Sequence, residues 1–298
     1  MTLDPLADIP HLEGSMPFVV GANRSGTTLL RLMLDAHPEL AIPAETHFVP
    51  NLIELFSETE PTRAEALSVI TSRPEYADFG LSEEDLAGAM AARPNTARGA
   101  LQAFYGLYAA RQCKSRCGDK TPGYSTSMQA IEGALREARF VHIVRDGRDV
   151  ALSVMARGIR ERTIEELAQR WKRRIKRTRK QGAKVTHYTE IRYEDLISDT
   201  EVSLRRVCGF LDLPFEPAML DYHERAAERL GEMSGELPAA AGRRSLPGGY
   251  RSEMHSATSS PPCKDQIAKW RRQMDPADAR AFAEIAGDLL AELGYDSE

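Results

Sequence analysis

Three short apolar runs and a series of helical repeats set the frame of the chain. Pro17-Phe18-Val19-Val20-Gly21 is unbroken in apolar residues and ends in glycine, the pattern of a buried strand. From Thr27 the residues Leu29, Leu30, Met33 and Leu34 recur at helical spacing, and His37-Pro38 should stop that helix. Phe140-Val141-His142-Ile143-Val144 predicts a second buried strand, with a helix after it through Val150, Leu152, Ser153 and Met155. Val185 to Tyr193 predicts a third strand, and Leu204 to Leu211 a helix. Residues 48–112 read as helical, broken at Pro61, Pro74, Gly80 and Pro94, with no strand. A last helix is expected over 276–293, where Ala283, Ala286, Leu289, Leu290 and Leu293 are apolar. Strands alternating with helices give an α/β fold: a parallel sheet covered on both faces by helices, with 48–112 as a helical insertion.

Two segments depart from this pattern. Residues 163–181 carry eight Lys/Arg on a helical repeat, which reads as a solvated face. Residues 234–262 are rich in Gly, Pro and Ser, including Pro247-Gly248-Gly249 and Ser259-Ser260-Pro261-Pro262. An irregular stretch of that length is either functional or disordered.

Composition narrows the function classes. The chain has 298 residues, 42% hydrophobic and 28% charged, which suits one globular domain over 1–298. A net charge of −5 argues against indiscriminate nucleic-acid binding. Cys113, Cys117, Cys208 and Cys263 do not form a disulfide framework. Cys113 and Cys117 lie four apart, but only His142 and His187 offer themselves as further ligands, so no metal site is expected. The N-terminus lacks a basic n-region and an apolar h-region, and no run of 18 apolar residues occurs. The expectation is a cytoplasmic protein without a membrane span.

The candidate chemistry begins at Gly21-Ala-Asn-Arg24-Ser25-Gly26-Thr27-Thr28, between the first strand and its helix. The glycine spacing is that of a phosphate-binding P-loop, with Thr27 where the usual lysine stands. Glycines let the backbone wrap an anion, N–H groups point at it from a helix start, and Thr27 and Thr28 add hydroxyls. Loss of the lysine weakens the case for ATP hydrolysis. Arg24 offers charge from within the loop.

The stretch 17–38 resembles the 5′-phosphosulfate loop of the sulfotransferases that use 3′-phosphoadenosine 5′-phosphosulfate (PAPS). A second element is similar too: a strand, then Arg145, then Ser153 eight residues on, about 120 residues after the loop. Leu34-Asp-Ala-His-Pro38 followed by Glu45-Thr46, with Arg157 twelve residues past Arg145, looks most like the tyrosylprotein sulfotransferases and related bacterial enzymes. The resemblance covers roughly 17–50, 115–160, 185–212 and, more loosely, 250–295. It implies a P-loop NTPase-like fold, PAPS as co-substrate with the desulfated product PAP, and no metal. The Arg-Lys-Gly triplet of cytosolic family members is absent near the C-terminus, so the residues completing the 3′-phosphate and adenine site are not identified.

The resemblance also implies roles. Arg24, Ser25, Gly26, Thr27 and Thr28 would hold the 5′-phosphosulfate. Arg24 and Lys120, the latter in Gly118-Asp119-Lys120-Thr121-Pro122, would be the cations at the leaving phosphate. Glu45 would be the base, with His47 the alternative because its ordinary pKa suits neutral pH. Arg145, Ser153 and Arg157 would bind the 3′-phosphate, where arginine's planar fork fits best. The other reading of Arg145 is an ion pair with Asp146 or Asp149. Tyr193 is an adenine contact or a core tyrosine. The acceptor carries a hydroxyl and is a small molecule, glycan, lipid or peptide, with 48–112 and 225–262 as its walls.

Two rival functions differ at identifiable residues. A P-loop kinase of a small metabolite needs the lysine that position 27 lacks. A non-catalytic nucleotide-binding protein has no need of Lys120 and Glu45 beside the anion loops.

Overall fold

Met16–Gly21 forms β1, and each of its six residues is buried, as its unbroken apolar run requires. The computed structural model describes residues 12, 14–156, 163–239 and 245–295. Thr27–Asp35 follows as α1, then Leu40–Ala41 as β2. Four helices make the insertion: α2 (Val49–Glu58), α3 (Arg63–Thr71), α4 (Glu83–Ala91) and α5 (Ala97–Arg111). Thr62, Ser82 and Thr96 start α3, α4 and α5 by accepting N–H bonds with their side chains. Arg116–Cys117 is β3, and Met128–Ala134 is α6.

Ala138–Val144 forms β4, followed by α7 (Gly147–Met155), α8 (Ile164–Gly182) and β5 (Tyr188–Arg192). The rest is helical: α9 (Tyr193–Ser198), α10 (Thr200–Phe210), α11 (His223–Gly231), the short α12 (Tyr250–Glu253) and α13 (Trp270–Gln273), and α14 (Pro276–Glu292).

The sheet is parallel in the order β1-β4-β5, with Phe18 opposite Phe140 and Phe140 opposite Tyr188. Parallel neighbours need crossovers, which α1 to α6 and then α7 with α8 provide. A second edge was not legible in the sequence. β2 pairs with β3, and Asp119 continues that line beside Phe18, its backbone bonded to Pro17 and Val19. Residues 119–121 therefore run alongside β1 toward the carboxyl edge of the sheet.

Two apolar clusters build the core. One gathers β1, β4, α1 and the insertion around Phe18, Phe104 and Phe140. The other gathers α7, α8 and α14 around Trp171 and Phe282. The expected third strand is shorter than 185–193, and Tyr193 begins α9 instead of ending the strand. The basic helix α8 is only partly a solvated face. Lys172 and Lys176 pair with Asp288, Arg179 with Glu190 and Glu292, and Arg174 reaches Ser125, so at least four of its cations fasten it to neighbours. Among the described residues no helix is long and apolar enough to cross a membrane.

Candidate active site

The loop after β1 is shaped by backbone strain and close packing. Gly26 has φ +100 and Arg24 φ +73, both left-handed. A Cβ on Gly26 would lie 2.4 Å from the Tyr193 ring, so only glycine fits there. No side chain caps α1, which leaves its first-turn N–H groups for an anion. Ser25 turns inward: its N–H and Oγ both donate to Ala22 O, at 3.1 and 2.7 Å. It braces the loop rather than lining the cleft.

A cleft of about 930 Å³ opens beside this loop. Arg24, Gly26, Thr27 and Thr28 form one wall, Arg145, Ser153 and Tyr193 another. The structure thus brings the two sequence-predicted anion elements to one cavity, at the carboxyl ends of adjacent parallel strands, where such folds bind nucleotides. Arg145 sits 4.2 Å over the Tyr193 ring, donates to Gln266 O at 2.8 Å and lies 3.6 Å from Asp149. Its Nε is buried without a hydrogen-bond partner. Arg145 therefore pairs with Asp149 and lines the cleft at once. Tyr193 is buried, packed under Gly26 and Arg145, and still contributes a wall of the cleft. Arg157 lies outside the described residues.

Unlike Lys120, Arg24 lines the cleft. Its Nε donates to Ser153 Oγ at 3.0 Å, and its carbonyl accepts from Arg145. Burial and Arg31 pull the Lys120 ammonium down while Glu45 opposes them, and Arg31 itself is fully buried on α1 and bonded to Ile42 O and Glu232. Its signal was present in the sequence: a lone cation inside the apolar run 29–34.

Glu45 and Lys120 form a separate pair that does not line this cleft. Lys120 is buried, and its Nζ donates to Glu45 Oε1 at 2.8 Å. Glu45 Oε2 lies 3.1 Å from His47 Nε2, and the Glu45 side chain keeps 31% exposure. Burial would raise the Glu45 carboxyl, but Lys120 and His47 outweigh it and hold it well below the usual carboxylate range. Burial pulls the Lys120 ammonium down, opposed by Glu45. His47 has φ +56, with its carbonyl fixed by Arg73 at 2.8 Å.

Sequence reasoning left the far side of the cleft open. The structure fills it with His255, Thr258, Ser260, Gln266, Lys269 and Gln273. The segment is anchored by Asp149, which accepts from Trp270 N at 2.9 Å, and by Arg148 stacked 3.6 Å over the Trp270 ring. Part of the 225–262 stretch thus borders the cleft beside the loop. Elsewhere it docks on the insertion, where Arg251 Nη2 donates to Asp78 Oδ1 at 2.8 Å. Among the described residues no group of three or more His, Cys, Asp or Glu is placed to hold a metal ion.

A family model described as "Sulfotransferase family" matches residues 18–217. The protein-tyrosine sulfotransferase of Drosophila melanogaster is 27% identical over 293 residues, covering 95% of this chain and 52% of that protein. Protein-tyrosine sulfotransferase 1 of Homo sapiens is 28% identical over 300 residues, covering 96% and 71%. The chain thus spans about half the length of the fly relative. The solved sulfotransferase domain from the Synechococcus PCC 7002 olefin synthase superposes with a TM-score of 0.57 at 22% identity, covering 97% of this chain and 98% of that one.

Proposed function

This chain belongs to the sulfotransferase family, and we propose that it moves a sulfuryl group from PAPS to an acceptor hydroxyl with Glu45 as the base. One observation carries the reading. The 930 Å³ cleft is lined by Arg24, Gly26, Thr27 and Thr28 of the loop and by Arg145 with Ser153, two anion sites facing one space. A nucleotide with phosphates at both its 5′ and 3′ positions fits that arrangement. The volume, the Gly26 cradle and the unpartnered Arg145 Nε agree with it.

PAPS supplies the sulfuryl group and leaves its 5′-phosphate behind. The loop N–H groups, Thr27 and Thr28 hold the 5′ end, while Arg145, Ser153 and Arg157 hold the 3′-phosphate. Arg24, bonded to Ser153, serves the nucleotide on that side. Glu45 takes the acceptor's proton as the acceptor oxygen bonds to sulfur. The electron pair of the breaking S–O bond goes to the phosphate oxygen, toward which Lys120 supplies positive charge. An ammonium has three donors, so the bond to Glu45 leaves two for this task. The curated relatives are named for protein tyrosine, which makes a tyrosyl phenol the first acceptor to test.

The experiment is a choice among ligands. PAP should raise the melting temperature more than AMP, or ATP with magnesium, because it occupies both anion sites. Labelled PAPS should then transfer its sulfuryl group to an acceptor. A far larger shift with ATP and magnesium would favour the kinase reading. Binding of PAP without transfer to any phenol, sugar or lipid hydroxyl would favour a non-catalytic binder.

A further inference from the structure

Glu45 and Lys120 come from segments 75 residues apart, and each is followed or preceded by a buried polar residue that touches the other's neighbour. Thr46 follows Glu45, and Asp119 precedes Lys120. Thr46 Oγ1 donates to Asp119 Oδ2 at 2.7 Å, and both residues are fully buried. The same Asp119 oxygen accepts from Tyr105 OH at 2.7 Å.

Proton counting fixes the direction of the whole chain. Thr46 spends its single hydroxyl proton on Asp119, so Tyr124 OH, 2.7 Å away, donates to Thr46. Tyr124 OH in turn accepts from Val49 N at 3.1 Å. Thr46 N donates to Thr121 Oγ1 at 3.0 Å. Asp119 is itself held by backbone bonds to Pro17 and Val19 of β1, at 2.8 Å each. The run Val49, Tyr124, Thr46, Asp119 thus ties the entry to α2 to the central sheet.

We infer that Thr46 and Asp119 are positioning residues, whose hydroxyl–carboxylate contact sets where the Glu45 carboxylate meets the Lys120 ammonium. Neither touches the nucleotide cleft. Two donors, Thr46 and Tyr105, fix one oxygen of Asp119 while its other oxygen is buried without a partner, so the carboxylate has little freedom to turn and the flanking residues inherit its place. The inference rests on the sulfotransferase reading for its catalytic consequence, although the geometric part stands without it.

Thr46→Val keeps the shape and removes the hydroxyl, while Thr46→Ser keeps the hydroxyl. Two measurements separate the ideas. The first is the carbon-13 titration of the Glu45 carboxyl, which needs no sulfotransferase activity. Thr46→Val should move it upward by about one unit as the Lys120 contact loosens, and Thr46→Ser should leave it near wild type. The second is steady-state transfer from PAPS. Thr46→Val should lower kcat by roughly 10- to 100-fold with PAP affinity within about threefold of wild type, and Thr46→Ser should recover most of the loss. An unchanged Glu45 titration and kcat in Thr46→Val would overturn the inference. So would equal losses of kcat and PAP affinity that Thr46→Ser fails to rescue. A shifted Glu45 titration in a protein whose wild type transfers nothing would uphold the positioning and sink the sulfotransferase reading instead.

Discussion

Lys120 Nζ meets Glu45 Oε1 at 2.8 Å, while His47 Nε2 stands 3.1 Å from the other oxygen of the same carboxylate. The two sequence candidates for the base therefore share one hydrogen bond. Glu45→Gln keeps the shape but cannot take a proton. It should leave PAP affinity nearly intact and slow transfer by roughly 10²- to 10⁴-fold. Two measurements separate Glu45 from His47. A base works only when unprotonated, and the Glu45 carboxyl is held well below its ordinary value. With Glu45 as base, kcat/KM for the acceptor stays level from about pH 8 down to about 5. Loss of transfer in His47→Ala, with Glu45→Gln near wild type, would give the role to His47.

Arg145 binds its own chain as well as lining the cleft. It stacks on Tyr193 and donates to the Gln266 carbonyl. Arg145→Ala should weaken PAP binding by about 2–4 kcal/mol, the scale of removing one member of a buried charged contact. Adenosine 5′-phosphosulfate, which lacks the 3′-phosphate, should lose little. Titration calorimetry with both nucleotides checks this. Equal losses would show that Arg145 acts only by holding Tyr193 and the 266 segment.

How much of this was legible in the sequence depended on how local the signal was. β1, α1 and β4 announce themselves because a strand buried on both faces must be apolar throughout. The β2–β3 pair is two residues long and gives no periodicity to read. β5 has half-exposed Tyr188, Thr189 and Glu190, so its apolar pattern was too weak to set its ends. Glu45 and Lys120 were legible as types and motifs, but their contact is not, because it depends on Asp119 pairing with β1. Arg24 was read by its place in the loop. Its left-handed backbone turns the side chain toward Ser153, which no spacing reveals. The 255–273 wall has neither a helical nor a strand repeat, and only packing on Trp270 places it.

Gly26 tests the loop directly. Its φ of +100 and the 2.4 Å approach to Tyr193 leave no room for a methyl group. Gly26→Ala should cost about 1–3 kcal/mol of stability, from backbone strain and the displaced ring. PAP affinity should fall at least tenfold, by about 1.4 kcal/mol or more. Gly133→Ala is the control. It sits on α6 with nothing within 4 Å of an added Cβ, and should be neutral or stabilising by up to about 1 kcal/mol. Melting curves with and without PAP measure both. A Gly26→Ala protein that melts and binds like wild type would show that the loop geometry is not required.

The last prediction concerns stability and pH, away from the cleft. Glu190 accepts from Tyr188 OH at 2.6 Å and from Arg179 Nη2 at 2.7 Å, with His142 Nδ1 at 3.1 Å. Burial would raise its carboxyl, yet His142, Arg179 and Tyr188 together hold it well below the ordinary 4.5. A carboxylate depressed in the folded state stabilises it above the unfolded value, and that stability is lost as pH falls toward the folded value. Glu190→Gln should therefore cost about 1–3 kcal/mol at pH 7. The gap from wild type should narrow once pH drops below about 4.5. Burial lowers the His142 pKa and Glu190 opposes it, so charging this ring below about pH 6.5 costs the Glu190→Gln protein more stability than wild type. The gap between the two melting temperatures, followed from pH 7 to about 3, should therefore widen below about pH 6.5 and narrow again below about 4.5, reporting the Glu190–His142 pair together. A gap that stays constant across the range would mean that Glu190 contributes shape and hydrogen bonds but no linked charge.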